Sequence, residues 1–236
     1  MRDAWRHFVA EFVGTFALVF IGSGAILVSK MPGSNIGLIE IAAAHGLILS
    51  VMVTATMRIS GHFNTAVTLG FLATRRIDPM MAGVYVAAQL LGAMVAAYAL
   101  KGLFPSDLYQ AARGGGQFIS LDLTSTQAYI LEAIGAFFLV FVIFGSAVDE
   151  HAPKVGGFAI GLTLAADILA LGPLTGASVN PARSFGPAVA SGIYEGQLIY
   201  WVGPIIGGVA AALVYDGLFL RRGPEPVAHG PVAPKG

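Results

Sequence analysis

Two asparagines stand where short helices begin inside apolar sequence. The stretch SGHFNTAVTL contains Asn64, and the stretch GASVNPARSF contains Asn180. Asparagine is a favoured helix N-cap, because its side-chain oxygen accepts from an unpaired amide of the first turn. Its NH2 group then remains available as a donor. The pattern predicts two buried donor sites, and their motif residues are Asn64, Thr65, Ala66, Asn180, Pro181 and Ala182.

Few other residues could do chemistry. The chain contains no cysteine, which excludes disulfides, thiolate catalysis and thiolate metal sites. The apolar stretches hold only His45 and His62 as imidazoles, and no H-E-x-x-H motif is present. The glycine-rich segment ARGGGQF at 112–118 lacks the Lys-Ser/Thr pair of a phosphate loop, and we predict an extracellular loop there. We therefore predict no catalytic residue, no metal ligand and no cofactor, and we do not expect an enzyme.

The composition is that of an integral membrane protein. Of the 236 residues 56% are hydrophobic and 11% are charged, whereas soluble domains carry about 25% charged residues. The net charge is zero, so no basic surface points to nucleic acid. Charge-poor apolar runs of this length span a bilayer as helices. We predict an all-α integral membrane fold whose six transmembrane helices lie at 8–28, 38–58, 79–100, 126–148, 156–172 and 197–219.

The two halves of the chain are related. EFVGTFALVF begins at Glu11 and EAIGAFFLVF begins at Glu132, with six of ten positions identical. Asn64 follows the first glutamate by 53 residues, and Asn180 follows the second by 48. Each half therefore holds three spans and one asparagine motif. Because three is odd, the second half enters the membrane from the opposite face. This inverted repeat places the functional site near the midplane.

The segments after the two asparagines are too short to span a membrane. Each has room for two or three helical turns, so we predict two re-entrant half-helices preceded by the non-helical segments ISGHF and TGASV. Such backbone is tolerated at this depth only in protein or beside a wet cavity. The half-helices meet N-terminus to N-terminus, and their positive ends oppose cations. The simpler alternative is a pair of asparagines that only cap buried helices, which recurrence in an inverted repeat disfavours.

At these residues the chain resembles the aquaporin (major intrinsic protein) family. The resemblance covers about residues 5–220 and is specific at HFN, NPARSFGPA, YWVGPIIGG and the repeated glutamates. The second half is most similar to the plant tonoplast-intrinsic branch. The resemblance implies a right-handed bundle of six helices and two half-helices. It also implies a homotetramer with one pore in each subunit.

The resemblance also assigns roles to individual residues. It implies that a selectivity filter of four side chains is formed by His45, Ile168, Ala177 and Arg183. It implies pore-lining loop backbone at Gly61, His62, Phe63, Gly176, Ser178 and Val179. Glu11 and Glu132 become structural carboxylates that hold this backbone, whereas their positions alone would also suit interfacial charges.

Two features depart from the family pattern. The first motif reads Asn-Thr-Ala where the family has Asn-Pro-Ala, and ISGHFN is one residue shorter than the usual loop. The donor that faces the pore belongs to Asn64, which is present. We therefore expect Thr65 to change local stability by about 1 kcal/mol and to leave the mechanism unchanged.

The predicted function is a passive transmembrane channel for water that excludes protons and ions. Ile168 and Ala177 leave room in the filter, and His45 offers a polar contact, so ammonia or other small neutral solutes are further candidates. Two other classes remain open. A secondary transporter also uses inverted repeats, but it needs a coupling carboxylate at the midplane, for which Asp167 is the candidate. A membrane-embedded hydrolase would need a catalytic constellation that these spans do not offer.

We predict one channel domain over 1–220, with repeats at about 5–101 and 125–220, followed by a disordered cytoplasmic tail at 221–236. Most Lys and Arg residues fall on the side of the N-terminus, Arg58, Arg75 and Arg76 among them, which predicts that both termini are cytoplasmic. The expected partners are water, small neutral solutes, the lipid bilayer and copies of this chain, with no nucleic acid. The lack of cysteine and the short loops favour a bacterial inner membrane.

Overall fold

The computed structural model describes residues 3–153 and 155–220, and the tail predicted at 221–236 lies outside them. The regular structure in these ranges is helical, as predicted. In chain order the α-helices are α1 (Ala4–Ser29), α2 (Leu38–Thr56), α3 (Thr65–Ala73), α4 (Pro79–Leu103), α5 (Ser106–Ala111), α6 (Ser125–Ile143), α7 (Gly156–Thr175), α8 (Pro181–Ser191) and α9 (Gln197–Tyr215). Short π-helical turns, Phe144–Val148 and Asp216–Leu220, continue α6 and α9.

Six of these helices are long and apolar enough to cross a membrane, namely α1, α2, α4, α6, α7 and α9. They confirm the six predicted spans. Their outer surfaces are apolar: Ile39 is 69% exposed, Leu198 is 72% exposed and Ile206 is 60% exposed. Apolar surface of this extent is costly in water but is satisfied by lipid. The chain is therefore a multi-pass membrane protein.

The other two predicted helices, α3 and α8, are half-helices. They contain nine and eleven residues, which at 1.5 Å per residue gives about 14 and 17 Å, or roughly half the hydrocarbon core of a bilayer. Asn64 and Asn180 precede them with extended backbone and act as N-caps. Thr65 and Pro181 occupy the first helical positions, where the backbone N–H has no intrahelical acceptor. The predicted re-entrant half-helices are thus confirmed.

The two halves of the chain interlock. The long helices pack chiefly as the pairs α1 with α4, α2 with α7, and α6 with α9. Half-helix α3 of the first half packs mainly on α9 of the second half. Half-helix α8 of the second half packs mainly on α4 of the first. The position of each asparagine motif is therefore set by helices of the opposite half.

Glycines allow α2 and α7 to approach backbone to backbone. A Cβ atom on Gly46 would lie 2.6 Å from the carbonyl oxygen of Gly161, and a Cβ on Gly161 would collide with the carbonyl oxygen of Gly46. Because backbone atoms block both positions, no side-chain rotation could relieve the collision. Small residues at membrane helix crossings permit this kind of close packing. His45 directly precedes Gly46 on α2, so this crossing helps to fix its position.

We predict that Gly161→Val destabilises the protein. The added side chain must push α2 and α7 apart, at a cost of about 2 kcal/mol or more. The measurement is the thermal unfolding midpoint in detergent, which should fall. Gly83→Ala is the matched control, because Gly83 is exposed on α4 and a Cβ there meets nothing within 4 Å. An equal midpoint for the two variants would contradict the proposed cause.

Candidate functional site

The two half-helices meet at their N-termini and are joined there by reciprocal hydrogen bonds. The Nδ2 atom of Asn64 donates to the carbonyl oxygen of Val179 at 2.8 Å. The Nδ2 atom of Asn180 donates to the carbonyl oxygen of Phe63 at 2.8 Å. Each Oδ1 atom accepts the backbone N–H two residues ahead, which completes the N-cap. One N–H of each NH2 group is thereby used, and the described residues offer no protein acceptor for the other.

Glu132 on α6 holds the backbone that precedes the second half-helix. Its side chain is fully buried. The Oε1 atom accepts from the hydroxyl of Thr175 at 2.7 Å and from the N–H of Ser178 at 2.9 Å. The Oε2 atom accepts from the N–H of Val179 at 2.7 Å. The two backbone N–H donors lie in a segment without helical hydrogen bonds, so the carboxylate supplies the acceptors that water would supply elsewhere.

Glu11 on α1 does the same for the first re-entrant segment. Its Oε1 atom accepts from the N–H of His62 at 2.8 Å and from the hydroxyl of Ser60. Its Oε2 atom accepts from the N–H of Phe63 at 2.8 Å and from Nε2 of Gln89 at 2.7 Å. Glu11 is as fully buried as its counterpart. Both glutamates therefore lie inside the bundle and not at the membrane interface.

The re-entrant segments hold strained backbone. Phe63, Ala177 and Val179 have φ angles of 49°, 44° and 45°, in the left-handed region that costs a residue with a side chain about 1–3 kcal/mol. At Phe63 and Val179 this conformation lets the N–H face the glutamate while the carbonyl reaches the opposite asparagine. The hydrogen bonds to the two carboxylates offset the strain.

The first re-entrant segment is one residue shorter than the second. In the second, Glu132 accepts from the hydroxyl of Thr175 and from the N–H of Val179, and three residues lie between these two donors. In the first, Glu11 accepts from the hydroxyl of Ser60 and from the N–H of Phe63, and two residues lie between these two donors. The left-handed conformation of Ala177 therefore has no counterpart in the first segment. The same arrangement, one carboxylate that accepts from a hydroxyl and two backbone N–H groups, therefore holds a shorter loop.

A narrow cavity lies where the segments meet. Its volume is about 10 Å³, which is close to the space that one water molecule needs. The predicted site residues that line it are His45, His62, Phe63, Asn64, Ala177, Ser178, Val179, Asn180 and Arg183. Residues that the sequence analysis did not single out complete its wall: Leu18, Leu49, Val67, Leu139, Ile143, Ile160 and Leu164. The wall is therefore apolar except at the two asparagines, the two histidines, Ser178, Arg183 and the backbone of the re-entrant segments.

The remaining predicted residues lie around this cavity. Gly61 lines a cavity towards one face of the bundle, and Gly176 and Ile168 line a cavity towards the other. Four buried motif residues lie behind the wall, in the first turns of the half-helices: Thr65, Ala66, Pro181 and Ala182. Ile160, Leu164 and Ile168 recur every four residues along α7. This helical spacing is the signal that would have revealed the missed apolar lining.

Arg183 and His45 lie at one end of the narrow cavity. The Nη2 atom of Arg183 donates to Nε2 of His45 at 2.8 Å. The Nδ1 atom of His45 lies 2.8 Å from the carbonyl oxygen of Ile41. Because a carbonyl oxygen can only accept a hydrogen bond, Nδ1 carries the proton. The histidine is therefore neutral, with its proton on Nδ1 and the lone pair of Nε2 directed at the guanidinium. Both side chains are buried.

The cavities form a series across the bundle. Beyond Arg183 and His45, which line both spaces, an outer cavity of about 430 Å³ opens beside Ile168. At the opposite end, His62, Ile143 and Ile160 line both the narrow cavity and an inner cavity of about 280 Å³. The shared residues make the arrangement a single passage with its narrow part at the asparagine motifs.

The ARGGGQF segment forms part of the outer cavity. Gly114 and Gly115 are buried with φ angles of 66° and 73°, and the hydroxyl of Ser23 donates to the carbonyl oxygen of Gly115 at 3.0 Å. Gln117 and Phe118 line the cavity and were missed by the sequence analysis. Three successive glycines, which permit left-handed backbone and close approach, were the available signal.

We predict that Glu132→Gln weakens the second re-entrant segment. Glutamine offers one acceptor oxygen, so either the N–H of Val179 or the donors to Oε1 lose their partner, at a cost of about 1–3 kcal/mol. The measurement is amide hydrogen exchange of Ser178 and Val179, which should accelerate. Glu150→Gln is the matched control, because Glu150 is exposed and far along the chain from this segment. Unchanged exchange at both amides would show that the carboxylate does not hold them.

The comparisons with known proteins agree with this geometry. The profile of the major intrinsic protein family matches residues 1–215. Aquaporin TIP4-4 of Zea mays is 42% identical over 227 residues, which cover 92% of this chain and 88% of that protein. Nodulin-26 of Glycine max is 43% identical over 215 residues, which cover 89% of this chain and 77% of that protein.

A solved structure shares the architecture. The aquaglyceroporin from Plasmodium falciparum superposes with a TM-score of 0.81 at 27% identity, covering 91% of this chain and 96% of that one. The family profile spans nearly all of the described helices, and relatives above 40% identity cover most of the chain. This chain belongs to the major intrinsic protein (aquaporin) family, as the sequence resemblance predicted, with tonoplast-type aquaporins among its relatives.

Proposed function

We propose that the chain is a passive channel for water. The observation that carries this proposal is the passage formed by the three cavities, with Asn64 and Asn180 lining its narrow part. The apolar wall offers water few hydrogen-bonding partners. The two asparagine amides and the carbonyl groups of the re-entrant segments offer water a small number of donors and acceptors along the passage. Membership of the aquaporin family supports the same function.

The two asparagines orient water at the centre. In each NH2 group, one N–H is held by the opposite loop and the other is left for a solute in the cavity. A water molecule there accepts from both amides and can donate only towards the two ends of the passage. The positive ends of α3 and α8 favour the same orientation. A proton relay through the water file is interrupted at this point, because the oxygen of the central water already accepts from the two amides and cannot accept a hydrogen bond from a neighbouring water.

Arg183 provides a second barrier. Its Nη2 atom is bonded to His45, and its Nη1 atom has no partner among the described residues although it is buried. A buried guanidinium beside the passage repels cations and offers an N–H to the oxygen of a neutral solute. The filter proposed at His45, Ile168, Ala177 and Arg183 therefore selects against charge at the junction of the outer and narrow cavities.

The filter composition also supports small neutral solutes besides water. Ile168 and Ala177 are the apolar members, and no Phe, Tyr or Trp is among the four filter positions. The two polar members are already hydrogen-bonded to each other, so their position is fixed. Ammonia, which is as small as water and both donates and accepts, is the further solute that we propose.

A secondary transporter is the alternative, and the lining of the passage disfavours it. Asp167, the candidate for ion coupling, is buried beside Gly135 of α6 and does not line the three cavities. Within the described ranges these cavities contain no carboxylate in their walls. An ion-coupled cycle therefore has no carboxylate to use there. Both ring nitrogens of His45 are engaged, by Ile41 and Arg183, and among the described residues the cavities hold no nucleophile and carboxylate beside the histidines, so we propose no enzymatic activity.

We further propose the assembly and location of the channel. The exposed apolar surface of the bundle and the family resemblance support a homotetramer. The distribution of Lys and Arg supports cytoplasmic termini, with one channel domain over 1–220 and a disordered cytoplasmic tail over 221–236. The lack of cysteine supports a bacterial inner membrane, whereas the two relatives named above, from Zea mays and Glycine max, are plant proteins.

We predict fast water flow through the reconstituted protein. Proteoliposomes mixed with a hyperosmotic, impermeant solute should shrink faster than protein-free vesicles, without dependence on an ion gradient, since the passage needs no coupled ion. Stopped-flow light scattering gives the rate, and alkalinisation of an internal dye under an ammonia gradient tests the second solute. Shrinkage at the lipid rate would refute the channel. Water flow without ammonia flow would refute only the wider selectivity.

We predict that Arg183→Val admits cations. The change removes the buried positive charge while the asparagines and half-helices remain. The measurement is dye-reported proton and sodium leak in proteoliposomes, normalised to the amount of intact oligomer, and it should rise in the variant. Arg58→Gln, which alters an exposed arginine outside the passage, is the matched control. Leak that stays at the level of this control would show that Arg183 is not a barrier.

A further inference from the structure

Thr65 makes a side-chain hydrogen bond that the proline of the ordinary motif could not make. It is 2% exposed and occupies the first position of α3. Its Oγ1 atom donates to Oε1 of Gln89 on α4 at 3.1 Å. Pro181 occupies the matching position of α8 and has no donor. The hydroxyl therefore adds a link between the first half-helix and α4 that the second half of the chain lacks.

The hydrogen bond from Thr65 fixes which way the amide of Gln89 faces. Gln89 is fully buried, and its Nε2 atom donates to Oε2 of Glu11 at 2.7 Å and to Oγ1 of Thr68 at 2.9 Å. With the hydroxyl present, both ends of the amide have partners. Without it, Oε1 becomes a buried acceptor with no donor, which is costly, and only the two hydrogen bonds from Nε2 still hold the amide in place.

Gln89 in turn acts on the passage through Glu11. The Oε2 atom that accepts from Gln89 also accepts from the N–H of Phe63. The carbonyl oxygen of Phe63 receives the hydrogen bond of Asn180 at the centre of the passage. Hydrogen bonds through the Gln89 amide, the Glu11 carboxylate and the backbone of Phe63 therefore join the Thr65 hydroxyl to the two-asparagine site. The hydroxyl itself does not line the cavity.

The first re-entrant segment needs this support more than the second. Glu132 receives three hydrogen bonds, all from its own longer loop. Glu11 receives three from a loop that is one residue shorter and a fourth from Gln89. The shorter loop has fewer residues with which to set the direction of its carbonyls. The fourth bond adds a constraint from outside the loop.

We propose that Thr65 is a positioning residue for water conduction, which acts through Gln89 and Glu11 to hold the shortened first loop in its conducting conformation. This inference rests on the proposed channel function. It revises the expectation that proline and threonine are interchangeable here, because the sequence did not show that the hydroxyl has a buried acceptor.

The test compares Thr65→Val, which keeps the shape but removes the hydroxyl, with Thr65→Ser, which keeps the hydroxyl. Loss of one buried hydrogen bond of about 1 kcal/mol lowers the equilibrium constant for the conducting conformation about 5-fold. We expect water permeability per intact oligomer to fall measurably in Thr65→Val, by up to about 5-fold, and by less than about 2-fold in Thr65→Ser. Thr15→Val is the control, because its buried hydroxyl has no partner among the described residues, and its permeability should match the unchanged protein.

A second pair of variants tests whether the effect passes through Gln89. Once Gln89→Leu has removed the acceptor, adding Thr65→Val should cause no further loss of permeability. Thr65→Pro, whose ring suits the first helical position, replaces Thr65→Val if the latter does not assemble, and we expect the same loss. Equal permeability of Thr65→Val, Thr65→Pro and the unchanged protein would overturn the positioning role and leave the channel intact. Lipid-level permeability of the unchanged protein would instead overturn the proposed function.

Discussion

The structure depends on hydrogen bonds that satisfy the backbone N–H groups of two non-helical segments deep inside a membrane bundle. Lipid and apolar side chains offer no acceptor, so each unpaired N–H would cost the desolvation of a peptide group. Glu11 and Glu132 solve this with one carboxylate each, which accepts two backbone amides and a hydroxyl of the same loop. Only because the N–H groups are so held can the carbonyls of these loops face the passage.

The second constraint is that neither half of the chain can build the site alone. Each half-helix packs mainly on a long helix of the other half, and each asparagine donates to the carbonyl that precedes the other. The two positive helix ends would repel each other in isolation. The cross-linking amides and the interlocked helices hold them together, so the electrostatic barrier is part of the folded structure and needs no bound ion.

Charge is distributed unevenly along the passage. The outer cavity is lined by Lys30, Arg113 and Arg183 and by no carboxylate of the described residues. Arg113 is paired with Glu195 at 2.6 Å, just as Arg76 at the inner cavity is paired with Asp216 at 2.7 Å. Lys30 and Arg183 are therefore the lining charges without a carboxylate partner among the described residues. The barrier to cations that we propose at Arg183 is thus joined by one further positive charge, that of Lys30.

The sequence by itself determined the six spans, the two half-helices and their asparagine caps, because apolar length and N-cap chemistry are local properties. The family resemblance then assigned Arg183 to the selectivity filter that we propose. Only the tertiary structure decided that Arg183 is tied to His45, that Gln117 lines the outer cavity, and that the hydroxyl of Thr65 meets Gln89. These contacts join residues that are far apart in the chain or on different helices. Their existence depends on how the helices cross, at glycine contacts and interlocked half-helices, which no local pattern specifies.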